Sequence, residues 1–74
     1  MIEKTKLPLA AFVADNATVR GHVTAGKGSS IYFGAVIRSE SETTAIGEDT
    51  NIQDNCVLHT DQGFPIAIGR GCTI

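Results

Sequence analysis

Aliphatic residues return at every sixth position in this chain. Val13, Val19, Ala25, Ile31 and Ile37 follow one another without a gap, and the series resumes at Ile46, Ile52 and Leu58 after three extra residues and at Ile68 and Ile74 after four more. Nine of these ten positions hold Val, Ile or Leu, which fill only 16 of the 74 places in the chain. Composition alone would put about two there, so the repeat is a property of the sequence. A second column keeps the same register. The residue four places after each aliphatic is small or modest in size at Ala17, Val23, Ser29, Ala35, Thr50, Cys56 and Cys72.

A period of six fits neither the 3.6 residues of an amphipathic helix nor the two of an ordinary strand, but short extended segments broken by turns can carry it. Gly21, Gly26, Gly28, Gly34 and Gly47 count further against helix. The pattern predicts a coil with three flat sides, in which every third aliphatic lies over its equivalent one coil below. Hydrogen bonds would then run between coils about 4.8 Å apart. Val13, Ile31, Ile52 and Ile74 form one predicted interior stack, Val19, Ile37 and Leu58 a second, and Ala25, Ile46 and Ile68 the third. The extra residues would leave as corner loops at 39–44 and 60–65, the places where solenoids carry function.

Length and charge narrow the classes. A chain of 74 residues reads as a single domain, residues 1–74, near the size at which one core is only marginally sufficient. A solenoid this short, without terminal caps, is expected to self-associate or to be the opening portion of a longer fold. Six Lys+Arg against eight Asp+Glu give a net charge of -2, which offers no basic field to nucleic acid. No apolar run approaches the roughly 20 residues of a membrane span. Residues 7–14 are apolar, but Glu3 among the preceding lysines and the interrupting Pro8 argue against a signal peptide. Cys56 and Cys72 lack C-x-x-C spacing, which suits reduced, inward-facing thiols in a cytoplasmic setting.

Three polar residues carry the candidate chemistry. Arg38 and His59 immediately follow the stacked Ile37 and Leu58, so both should project outward from one side, a coil apart. Gln53 follows Ile52 on the neighbouring side. Such a flat face could meet a second copy of itself and hold a site there. Each residue also has a plainer role open to it: His59 as a lone hydrogen-bonded imidazole, Arg38 with Glu40 as a solvated pair, and Gln53 as a strand-edge donor beside an Asp54-Asn55 corner. His22, three residues after Val19, reads as a turn or surface residue. Residues 21–28 approximate a phosphate-binding loop but place Gly28 where Ser or Thr is needed, and no helix follows.

The segments VIRSE at 36–40, NIQDN at 51–55 and VLHTD at 57–61, with Ile46-Gly47 between them, resemble the opening half of the γ-class carbonic anhydrase-like hexapeptide-repeat family. The likeness runs from Asn16 onward. It implies an all-β, left-handed parallel β-helix, here of about three to four coils, although ordinary crossover rules favour the opposite hand. It also implies that His59 is a zinc ligand, that Arg38 pairs with an acidic residue at a subunit boundary, and that Gln53 lies beside metal-bound water. The implied protein is a trimer that shares zinc between subunits and interconverts carbon dioxide and bicarbonate. Three imidazoles leave one zinc position open and bring bound water to a pKa of about 7, an effect for which carbonic anhydrase is the standard case.

Departures from the family pattern matter equally. Ser39 and Glu40 stand where the family commonly has Gly and Asp. Its other two zinc-binding histidines come from a Gly-His stretch one coil further on, beyond Ile74. Three functions therefore remain open: part of a γ-carbonic anhydrase-like lyase with an incomplete site, a non-catalytic self-assembling solenoid, or an acyltransferase-like hexapeptide protein that binds coenzyme A between subunits and uses His59.

Overall fold

The computed structural model describes residues 5–74, so Glu3, on which the reading of the N-terminal stretch leans, lies outside the described residues. Seven strands follow in order: β1 Phe12–Val13, β2 Thr18–Ala25, β3 Ser30–Ile31, β4 Val36–Ile46, β5 Asn51–Ile52, β6 Val57–His59 and β7 Ile66–Ile68. Every strand-to-strand pairing is parallel. Sequential strands do not pair with each other. Instead β1, β3 and β5 form one sheet, while β2, β4 and β6 form another in which β7 joins β4.

That order is what a chain wound into three-sided coils must give. β1 makes one side of the first coil, and the long β2 bends to make the other two. β3 and β4 repeat this in the second coil, and β5, β6 and β7 take one side each in the third. A bridge from Asn51 to Thr73 opens a fourth. The three predicted stacks are present in register: Val13 with Ile31 and Ile52, Val19 with Ile37 and Leu58, and Ala25 with Ile46 and Ile68. The fold is a short parallel β-helix.

Its core is the narrow interior of the tube. Val19, Ile31, Ile37 and Ile52 are fully buried, each such burial contributing about 1.5–3 kcal/mol. The second column fills the remaining space: Ala17, Val23, Ser29, Ala35 and Thr50 are buried, and the free thiols of Cys56 and Cys72 are half-buried. Residues 5–11 cover the open end of the first coil. The Thr5 amide donates to the Val19 carbonyl at 2.7 Å, and Leu7 packs against the core. At the other end burial falls away, and Ile74 is 42% exposed. Among the described residues no helix is long and apolar enough to cross a membrane.

One loop differs from expectation. Residues 39–44 do not leave the sheet, because β4 continues through them and absorbs the insertion as a register shift opposite Gly21 and Val23. The reason is local. Ser39 and Thr44 are both fully buried, and their hydroxyls bond to each other, so the chain turns the corner with these two side chains pointing inward. The insertion at 60–65 does leave, as a turn closed by the Phe64 amide on the Asp61 carbonyl at 2.9 Å.

Gly21 occupies the same corner one coil earlier. Its φ of +86° lies in the left-handed region, and a Cβ there would run into the Ser39 carbonyl. A side chain could not be placed at this point of coil-to-coil contact.

Candidate functional site

Parallel pairing decides which outward residues become neighbours. Arg20 lies opposite Arg38, and Arg38 lies opposite His59, so three basic-capable side chains form one column on the outer face of β2, β4 and β6. Each residue follows a buried or half-buried aliphatic, and the pleat turns it outward. Two places earlier along the strands, Thr18, Val36 and Val57 form a parallel column, and Val57 is 66% exposed. The face therefore carries an apolar column beside a basic one.

Arg38 and His59 each have a carboxylate two residues on. The Arg38 Nε donates to Glu40 Oε1 at 3.2 Å, and Nη2 lies 3.1 Å from the same oxygen. His59 Nδ1 stands 3.8 Å from Asp61 Oδ1. Both pairs are largely open to water, which screens their attraction. Arg38 meets its acidic partner within its own chain, through the residue the sequence had singled out, Glu40.

Gln53 is placed on the neighbouring side, as its spacing requires. Its side-chain amide donates to the Asn51 side chain, whose own amide reaches Thr73 Oγ1 at 3.2 Å. The structure thus brings Arg38 and His59 together and directs Gln53 toward Asn51 rather than toward either of them. His22 is an exposed residue at the corner between the two halves of β2.

Sequence reasoning passed over Arg20, Asp61 and Glu42. Arg20 follows Val19 as Arg38 follows Ile37, so the same rule finds it. Asp61 follows His59 by two residues, as Glu40 follows Arg38, and that spacing puts both members of a pair on one face of an extended chain. Glu42 had no signal of this kind. Its importance lies in cross-coil bonds: its carboxylate accepts the Gly63 amide at 2.8 Å, and its backbone exchanges bonds with the Thr60 hydroxyl at 3.3 Å.

The residues present do not make a complete zinc centre. Among the described residues no group of three His, Cys, Asp or Glu side chains could hold a metal ion. His59 with Asp61 offers at most two donors, whereas zinc takes three or four from protein.

The chain is similar to several named proteins. It is 41% identical over 69 residues to a carbonic anhydrase of Geobacillus kaustophilus, a match covering 93% of this chain and 38% of that protein. It is 41% identical over 70 residues to the mitochondrial gamma carbonic anhydrase 3 of Arabidopsis thaliana, covering 86% of this chain and 27% of that one. An uncharacterized transferase of Bacillus subtilis is 45% identical over 64 residues, with 86% and 37% covered. No family model matches the chain, and no solved structure matches it significantly.

Fold and face together define a parallel β-helix of hexapeptide coils bearing an outward Arg–His pair. Over most of its residues the chain is similar to proteins named as carbonic anhydrases, gamma carbonic anhydrases among them. It spans between about a quarter and two fifths of the length of these relatives.

Proposed function

We propose that these coils contribute Arg38, Gln53 and His59 to the site of a γ-carbonic anhydrase-like protein, which in complete form is a zinc-dependent trimer that interconverts carbon dioxide and bicarbonate. The observation that carries this reading is the register of Arg38 against His59 on one outward face, within a stretch that is similar to proteins named as carbonic anhydrases. His59 is the zinc ligand in this reading, Arg38 orders the boundary between subunits, and Gln53 lines the site. The remaining metal ligands come from residues other than those described. The exposed Val57 beside the basic column supports a subunit contact on the same face. Nucleic acid and membrane are not partners in this reading, and the free thiols fit a reducing, cytoplasmic location.

The protein purified from its native host is expected to contain zinc, to run as a trimer in light scattering and to hydrate carbon dioxide, with activity lost in His59→Ala. Intact trimers without zinc or hydration would overturn the proposal and leave the second reading, a non-catalytic self-assembling solenoid, which the incomplete donor set favours. A third reading is acyl transfer from coenzyme A, for which the uncharacterized transferase among the relatives offers only the general class of transferase. Calorimetric titration with coenzyme A separates it from the other two.

A further inference from the structure

The outer face of β1, β3 and β5 carries a cluster of three aromatic side chains. The Phe12 ring centroid stands 5.5 Å from that of Tyr32 and 5.8 Å from that of Phe33, and Phe12 and Phe33 are 40% and 54% exposed. Clustered aromatics of this kind are enriched in the cores of protein–protein contacts. Asp15, Phe33 and Asp54 each follow a member of the Val13, Ile31 and Ile52 stack by two residues, so carboxylates lie one coil to either side of Phe33. The cluster therefore has an acidic rim at the corner formed by residues 32–35. The next face, of β2, β4 and β6, starts from that same corner with Val36 and the 66% exposed Val57, followed by Arg38 and His59. The carboxylates beside these two, Glu40 and Asp61, come two residues further along the chain from that corner.

Two apolar patches on adjoining faces of one tube cannot both be covered by a single flat partner. Contact of like with like would set the acidic rim against itself, or the Arg38 and His59 column against itself, and like charges across a contact cost affinity. Contact between unlike faces brings opposite charges together and lays the aromatic side chains on the valines. We propose that the Phe12, Tyr32 and Phe33 cluster is the docking surface for a second copy of this chain, which covers it with its own Val36 and Val57, so that Asp54 of one copy approaches Arg38 and His59 of the next. A contact between two different surfaces runs head to tail and builds a ring or a filament, never a two-fold dimer. The inference rests on the reading of the β2, β4 and β6 face as a subunit contact and adds what covers it.

The test is sedimentation equilibrium of the 74-residue protein and two variants. Phe33→Lys places a cation in the aromatic patch, where it would face the cationic column, and Val57→Asp places an anion in the aliphatic one, where it would face the acidic rim. Both sites are exposed, and the Ile37 and Leu58 amide signals report whether each variant keeps its core. The unaltered protein should associate, and each variant alone should associate about tenfold more weakly or worse. A mixture of the two variants should associate again, because the intact aromatic cluster of one meets the intact valines of the other. A Val57→Asp protein that associates as well as the unaltered one, a mixture as weak as its components, or an unaltered protein that stays monomeric would overturn the inference. Zinc and hydration are measured separately: active trimers that survive Val57→Asp end this inference and leave the proposed function standing, whereas association as argued in a protein without zinc does the reverse.

Discussion

Arg38 and His59 are direct cross-strand partners, although twenty-one positions separate them in the chain. Their adjacency comes from the aliphatics before them: Ile37 and Leu58 occupy one interior stack, and the residue after each is turned outward by the pleat. Anything that keeps the stack keeps the pair. Anything that shifts the register by one residue sends both side chains into the tube.

The interior positions should dominate stability. Ile37→Ala and Ile52→Ala, both at fully buried sites, are each expected to cost about 2–5 kcal/mol. Val57→Ala, on the outer face, should cost less than about 0.5 kcal/mol. Urea denaturation ranks the three, and an equal cost for Val57→Ala would contradict the placement of the stacks.

Gly21 and Gly63 share a left-handed backbone but not their surroundings. Gly63→Ala meets no neighbour and should cost only the backbone penalty, about 1–2 kcal/mol. Gly21→Ala must also displace the Ser39 carbonyl from the ladder and should cost clearly more. Thermal melting of the two variants checks the order.

The buried hydroxyl pair at the second corner gives a sharper case. Thr44→Val is nearly isosteric but leaves the Ser39 hydroxyl without its partner in a fully buried place. The expected loss is about 1–3 kcal/mol. Ser39→Ala combined with Thr44→Val removes both polar groups and should recover part of that loss, which a double-mutant cycle measures directly.

Glu40→Gln removes the partner of Arg38. Because the pair is about half exposed, the stability change should stay below about 1 kcal/mol and shrink with added salt. A large loss in the isolated chain would mean that the pair is worth more than its exposure allows.

Zinc added to the 74-residue chain should not survive gel filtration in stoichiometric amount, since His59 and Asp61 supply at most two donors. Atomic absorption on the eluted protein checks this. Stoichiometric zinc retained there would show a donor set beyond the described residues.

The interior was readable in advance because a hexapeptide repeat repeats its physics: each inward aliphatic has a counterpart one coil away, and spacing alone names it. That is why the stack of Val19, Ile37 and Leu58 and the outward neighbours Arg38 and His59 could be placed without coordinates. The insertions were less readable. Residues 39–44 and 60–65 look alike as polar interruptions, yet the first stays in the ladder and the second leaves it. Ser39 and Thr44 satisfy each other's hydroxyls inside the corner, a contact between side chains whose spacing signals nothing. Gln53 was placed on the correct side, but its bond to Asn51 follows from side-chain direction, which spacing does not determine.

By itself the sequence determined the winding: which residues face inward, which coil lies over which, and which outward positions stand in register. Those follow from a period that only a three-sided coil accommodates. The tertiary structure alone decided how the corners are held and hence where the polar groups there point: Glu42 on Gly63 and Asp61 toward His59. These contacts depend on side-chain direction and on how corners of unequal length approach each other, and no periodicity encodes either.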